Sequence, residues 1–377
     1  MTFTSTLTLR EAAEAASILA ARRALDGEAV RRLDKAVVRA IVDGGFARHF
    51  VPTRWGGLAG GFIEASEAVS VLGEGCTSAA WLASIFAYSG RLAAFLPEAA
   101  QAEVWAEGAD QIIASALVPA GRAEEVPGGW RVHGEWLYIS GVDVSDWALV
   151  CAPVAGGPTG QPMFFAVPRS DYSVKDTWHT SGLRATMSNT LVVEDVFVPA
   201  HRTFPRALLI TGLADLTLPV CHRIPLRAAG ALAFAVPIIG AATGALKATV
   251  ARQTVKRNGA GRPGGDGPAH LALTRAAGEI DAARMLIERV AACCDEGRFD
   301  GTERARHGRD GALATDLAVT AVQRLMRLGG TSGYAEDAPV QRFWRDVSCA
   351  ATHQALRMEA AATTYGPVLL GQSPGSP

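Results

Sequence analysis

The spacing of the apolar residues changes character twice along this chain, and that succession limits its fold more than any other feature. Up to about residue 110, apolar positions recur every three or four residues, as on helices buried along one side. Val30, Leu33, Val37 and Ile41 keep that spacing until Gly44 and Gly45 end it. Phe62, Ser66, Val69 and Leu72 resume it after the turn at 52–57, and Trp81 to Phe95 forms a further helical stretch closed by Pro97. From about residue 111 the runs become short and β-prone, at 111–117, 130–139, 147–151, 163–167 and 191–198, parted by turn signals such as Pro127-Gly128-Gly129. Trp130, Val132 and Trp136 share one parity, which suits a half-buried strand.

After about residue 215 the helical spacing returns, in long segments near 217–257, 268–296, 311–328 and 338–363. Ala283, Ile287, Val290 and Cys294 make one apolar face; Leu313, Leu317, Ala321, Leu325 and Leu328 make another. The charged stretch from Arg298 to Asp310 is expected to be a solvated loop. The predicted class is therefore α+β: an N-terminal helical domain over 1–110, a middle β-barrel or sandwich domain over 111–214, and a C-terminal four-helix bundle over 215–377.

Composition removes several function classes. Charged residues are 19% of the chain, below the roughly 25% of an ordinary soluble protein, which suits a compact oligomer. A net charge of −1 leaves no basic stripe for nucleic acid. The longest apolar run, Ala228 to Ile239, contains Gly230 and Pro237 and is too short to span a bilayer. Met1 to Arg10 lacks the pattern of a signal peptide. The six cysteines show no CxxC spacing and are expected to be reduced, buried thiols in a cytoplasmic protein. Gly259 to Gly264 matches GxGxxG, but a helical segment precedes it and Pro263 interrupts it, so an interhelical loop is the better reading. The eight histidines are scattered without ligand spacing, and no metal site is expected. No GxSxG elbow is present.

Stretches from three regions of the chain, two of them in the β region, together resemble the acyl-CoA dehydrogenase superfamily. Phe50-Val51-Pro52-Thr53-Arg54-Trp55-Gly56-Gly57 is similar to the turn of its N-terminal helical domain. Trp136-Leu137-Tyr138-Ile139-Ser140-Gly141 with Ser145-Asp146-Trp147 resembles its flavin-contacting strand, in the form used by the oxygenase branch. Asp176-Thr177-Trp178-His179-Thr180-Ser181-Gly182-Leu183-Arg184 through Asp195-Val196-Phe197-Val198-Pro199 is similar to the companion block of the β domain. Gly329-Gly330 with Arg342-Phe343-Trp344-Arg345-Asp346 resembles an element of the C-terminal bundle. By this resemblance Ser140 contacts flavin N5, flanked by Tyr138 and Ile139, and Trp178 packs at the ring. Arg252 and Arg257 are candidates for the flavin phosphate, Ser115 for a further polar contact, and Gly329 and Gly330 for a place near a neighbouring subunit's flavin.

Within the superfamily the residues favour oxygenation over dehydrogenation. A dehydrogenase needs a carboxylate to remove the α-proton of a thioester. One usual base position, eight residues after Asp346, holds Gln354, and no Asp or Glu occurs from Thr217 to Gly265, where the alternative base would lie. His353 instead matches the histidine of two-component hydroxylases, placed in the helix that carries Arg345 and Asp346. The resemblance implies reduced FMN or FAD delivered by a separate reductase, reaction with O2 through a flavin C4a-hydroperoxide, hydroxylation of an aromatic or polyketide-like small molecule, and a homotetramer. No NAD(P)H-binding motif is visible. Trp81, Ile85, Phe86 and Tyr88 would exclude water. Phenol hydroxylases of this group carry a histidine before a Leu-Phe-Pro-Glu element. Here Phe95-Leu96-Pro97-Glu98 follows Tyr88, Ser89, Gly90 and Arg91, so Trp81, Tyr88 and Ser89 are the substrate-binding candidates. Ala185 and Met187 also replace glycines usual in the flavin block. Open alternatives are an amino-sugar N-oxygenase, an acyl-CoA dehydrogenase with a displaced base, and a scaffold that has lost its cofactor.

Overall fold

The structure, a computed structural model, describes residues 7–155, 161–259 and 267–373. Its first helices are α1 (Leu9–Ala29), α2 (Lys35–Asp43), α3 (Phe62–Gly75), α4 (Thr77–Ala93) and α5 (Glu98–Val104). Among the described residues nine strands come next: β1 (Ile113–Ala116), β2 (Arg122–Val126), β3 (Gly129–Ile139), β4 (Trp147–Ala152), β5 (Val154–Ala155), β6 (Met163–Pro168), β7 (Ser173–Lys175), β8 (Asn189–Pro199) and β9 (Thr203–Pro205). The short helices α6 (Arg206–Thr211) and α7 (Val220–Arg223) lead into α8 (Leu226–Gly259), α9 (Gly267–Asp295), α10 (Gly301–Gly329), α11 (Pro339–Ala350) and α12 (Met358–Leu369).

The strands form two sheets, ordered β1-β4-β6-β9 and β5-β2-β3-β8-β7. Burial along β3 alternates from Val132 to Trp136 as the parity predicts, then shifts, because a bulge separates the Trp136–Leu191 pair from the Ile139–Asn189 pair. Tyr138, inside the bulge, is left-handed at φ 64°. The extra residue bends the strand and re-aims its C-terminal end, where Ser140 sits.

One apolar core joins the first helices to the C-terminal bundle through Trp81, Leu82, Leu232, Ile239, Ile287 and Leu325. The predicted face of α9 is buried at Ala283, Ile287, Val290 and Cys294. That of α10 is rotated: Leu313 is exposed, and Ala314, Ala318, Ala321, Val322 and Leu325 face the core. Val30 is likewise 70% exposed, since α1 ends at Ala29 and a turn separates it from α2.

Three further expectations need correction. The stretch from Arg298 to Asp310 is not a loop beyond its first residues, because α10 begins at Gly301 and is capped by Asp300, whose carboxylate accepts from Glu303 N. Asp310 is fully buried and paired with Arg289 and Arg309, so tertiary ion pairs hold a sequence that looks solvated. The segment expected near 338–363 is broken after Ala350 into α11, a 3-10 turn and α12. Pro237 does not interrupt α8, and Leu226–Val255 is long and apolar enough to cross a membrane. Its most apolar stretch is 78% buried inside the protein, as the core helix of a bundle is.

The six cysteines are free, and all but Cys349 are buried. Cys293, Glu303 and His307 gather within 4.8 Å. Arg289 donates to both Glu303 and Cys293 and supplies the positive charge there. Residues 260–266, which include most of the GxGxxG match, lie outside the described residues.

Candidate active site

Four side chains from four parts of the chain meet where the helical and β regions adjoin. Trp81, on α4, donates its indole N–H to Ser140 Oγ at 3.0 Å. The Trp81 ring stands edge-on to His353, with centroids 6.0 Å apart, and tilted against Phe234 at 5.4 Å. Phe234 stacks on the His353 imidazole at 3.7 Å. Ser140 and His353, far apart in sequence, are thus joined through Trp81.

Local chemistry explains each placement. Nearly every residue of α4 is buried, so Trp81 sits on a helix with little solvent-facing side. Phe234 precedes Pro237 by three residues on α8. Proline has no N–H, which leaves the carbonyl of Ala233 without its helical partner. The Ser84 hydroxyl of α4 donates to that carbonyl at 2.7 Å, tying the two helices together one residue before Phe234.

His353 lies past the end of α11 rather than within it, as N-cap of the 3-10 turn Gln354–Leu356. Its Nδ1 accepts from Ala355 N at 3.3 Å, so a neutral ring carries its proton on Nε2. Burial holds the imidazole down at about 4, and no charged group contributes to that shift. The site therefore offers a neutral N–H donor with no carboxylate acting on it.

The loop facing this group is held from two sides. Asp346, buried on α11, accepts from Leu183 N at 2.7 Å, and burial pushes its carboxyl up to about 6. Arg345 pairs with Glu28 and donates to Ser181 O at 2.6 Å. The Arg345–Asp346 pair thus anchors the loop. Trp178 donates its indole N–H to Leu183 O at 2.8 Å and meets Tyr138 edge-on at 5.9 Å. The amides of Thr177 and Trp178 donate to Asn189 Oδ1 at 3.0 Å, and Arg31 grips Asp176 with two bonds of 2.6 Å.

The other candidates are more dispersed. Ile139 is buried and Tyr138 is 69% exposed. Ser115, on β1, has a buried hydroxyl without a hydrogen-bond partner. Tyr88 lies two turns beyond Trp81 on α4, against Phe50 and Phe62, and its buried hydroxyl is also unpartnered. Ser89 is buried beside it. Arg252 is half-buried on α8, and the side chain of Arg257 lies outside the described residues. Gly329 ends α10, and Gly330 caps it at φ 58°. Among the described residues, no hydrogen bond or ring contact links Arg252, Gly329 or Gly330 to the Trp81–His353 group.

Residues 232–358 match the family model "Acyl-CoA dehydrogenase, C-terminal domain". The oxygenase subunit HsaA of a flavin-dependent monooxygenase from Mycobacterium tuberculosis is 37% identical over 94% of this chain and 93% of its own length. The oxygenase component of an FADH2-dependent resorcinol hydroxylase from Rhizobium sp. is 32% identical over 92% of this chain and 90% of its own. XiaF from Streptomyces sp., solved in complex with FADH2 and glycerol, superimposes with a TM-score of 0.90. It is 32% identical, and the match covers 98% of this chain and 96% of XiaF. This chain belongs to the oxygenase subunits of flavin-dependent monooxygenases, built on the acyl-CoA dehydrogenase fold.

In this oxygenase the sequence reading missed Phe234 and the hydroxyls behind Ser140. Ser140 Oγ is 2.9 Å from Ser188 Oγ, which is 2.7 Å from Thr186 Oγ1. No signal in α8 distinguishes Phe234 from its apolar neighbours. Ser188 and Thr186 do lie between Asp176 and Pro199, in the block that resembles the superfamily's, and position in that block is the signal that could have found them.

Proposed function

We propose that this oxygenase takes reduced FMN or FAD from a separate reductase and uses O2 to hydroxylate an aromatic or polyketide-like small molecule. The observation that carries this reading is the contact group of Trp81, Ser140, Phe234 and His353, in which burial keeps the imidazole neutral and no charged group shifts it. Gln354 stands at one usual base position for thioester deprotonation and no Asp or Glu occurs from Thr217 to Gly265, whereas a neutral N–H donor suits oxygen chemistry.

The residues present fit a flavin. Ser140 Oγ has acceptor capacity beyond the Trp81 bond, and the buried Ser115 hydroxyl lacks a partner. Trp178 and Tyr138 offer aromatic surface, and Arg252 and Arg257 are candidates for the phosphate. Reduced flavin supplies the electrons that activate O2. Ser140 would orient the ring at N5, His353 would donate from Nε2 near the oxygen, and Trp81 and Phe234 would exclude water. Trp81, with Tyr88 and Ser89 further along α4, would line the acceptor's site. A cytoplasmic homotetramer, with Gly329 and Gly330 near a neighbour's flavin, completes the reading.

Rapid mixing of the reduced-flavin complex with O2 tests it. Ser140→Ala is expected to hasten the return of oxidised flavin by roughly tenfold, the scale of one lost hydrogen bond. His353→Ala is expected to lower the yield of hydroxylated product at unchanged flavin affinity. Wild-type traces and yields in both variants would remove these residues from the reaction.

A further inference from the structure

We infer that a one-way chain of hydroxyls fixes Ser140 as a hydrogen-bond acceptor, and that this makes the site select reduced over oxidised flavin. The inference rests on the proposed contact between Ser140 and flavin N5; its new content is the assignment of Ser188 and Thr186 as positioning residues for redox-state selectivity.

The direction of the chain comes from counting hydrogens. Thr186 Oγ1 lies 2.9 Å from Leu183 O, and a carbonyl only accepts, so Thr186 spends its single hydrogen there. The 2.7 Å contact between Thr186 and Ser188 must then be donated by Ser188. Ser188 has no second hydrogen, so the 2.9 Å contact with Ser140 is donated by Ser140. Ser140 in turn accepts the Trp81 indole N–H at 3.0 Å. Any reversal sets two lone pairs against each other at hydrogen-bond distance. Thr186 is fully buried and Ser188 is 4% exposed, so water is poorly placed to relieve such a clash.

The backbone is held to keep this order. Leu183 and Met187, on either side of Thr186, are both left-handed, at φ 52° and 49°, a conformation that costs energy in residues with side chains. Gly141 N donates to Thr186 O at 3.0 Å, linking the loop to the residue after Ser140.

Ser140 is left with one free lone pair and no free hydrogen. N5 of a reduced flavin carries a hydrogen and donates; N5 of an oxidised flavin carries only a lone pair and needs a donor. The first partner completes the Ser140 hydroxyl, and the second meets it lone pair to lone pair.

Substitution should loosen or invert the preference. In Ser188→Ala, Ser140 regains a free hydrogen and accommodates either redox state. In Thr186→Val, Ser188 loses its acceptor and turns its hydrogen onto Ser140. Both Ser140 lone pairs are then filled, by Trp81 and Ser188, and its own hydrogen is freed to donate. Dissociation constants for reduced flavin, by anaerobic calorimetry, and for oxidised flavin give the ratio of affinities. Wild type is expected to favour reduced flavin. Ser188→Ala should lower that ratio roughly five- to tenfold, and Thr186→Val should lower it further. Thr186→Ser, which keeps the hydroxyl, should restore it.

Wild-type ratios in both variants, or equal losses for the two redox states, would overturn the inference. Loss of selectivity in Thr186→Ser as well would show that packing, not hydrogen direction, is responsible. If the wild type binds neither redox state, the flavin reading itself fails. If it binds both states equally and the variants match it, the relay alone is refuted.

Discussion

Replacing Gly182 by alanine tests how the loop is fixed to the bundle. A Cβ there would lie 2.1 Å from Arg345 O, 2.5 Å from Arg345 C and 2.9 Å from Cys349 Cβ. Ordinary contact begins near 3.4 Å, so the two backbones must part by about 1.3 Å, and a close-packed interior yields little. Forcing one methyl into such a site costs about 1–3 kcal/mol. The same shift stretches the 2.7 Å bond from Leu183 N to Asp346, a charge-assisted contact whose loss adds about 1.5 kcal/mol or more. The expected destabilisation is about 3 kcal/mol, read from the urea midpoint at unchanged slope. Because Ser188 and Thr186 ride on the displaced loop, reduced-flavin affinity should fall as well, about tenfold for every ~1.4 kcal/mol that reaches the site. A Gly182→Ala protein that unfolds and binds flavin like wild type would refute the close approach of loop and helix.

His353 should remain neutral in the folded protein until pH falls to about 4, against 6.5 for a free imidazole. Its contribution to stability is present above 6.5 and is lost as pH falls through about 4; imidazole NMR shifts report this directly, and a titration near 6.5 would contradict it. Phe234→Ala removes the stacked ring and should move that titration back toward 6.5. Asp346 shows the opposite sign: its carboxyl rises from 3.8 to about 6, so its contribution is largest below 3.8 and is lost as pH rises through about 6. That shift corresponds to about 3 kcal/mol, and Asp346→Asn, which keeps an acceptor for Leu183 N, should flatten the slope in urea melts taken across this window.

Much of the architecture was legible because its helices and strands bury one face each. The α9 face at Ala283, Ile287, Val290 and Cys294 and the alternation along β3 could be read directly. The elements that escaped did so for physical reasons. β2, Arg-Ala-Glu-Glu-Val, buries little and carries charge, so it lacks a strand's apolar signature. The start of α10 is charged because Glu303 and the buried Asp310 pair with Arg289 of α9, a tertiary pairing that local spacing does not encode. Val30 kept the helical spacing by coincidence across a turn in which Arg31 is left-handed.

For the site, Ser140 and His353 came from motif position, and the structure brings both to Trp81. The helix assigned to His353 was wrong because α11 ends at Ala350. Phe234 was hidden because α8 is apolar on most sides, so no face could be assigned. The Ser84 bond to Ala233 O is a consequence of Pro237, and only the packing of α4 on α8 reveals it.

A structure of the anaerobically reduced flavin complex tests most directly whether the flavin reacts between Ser140 and His353. N5 is expected within hydrogen-bond distance of Ser140 Oγ, with His353 Nε2 facing the carbon where oxygen adds. A ring bound elsewhere, or an Asp or Glu carboxylate facing its reactive carbon, would contradict the account.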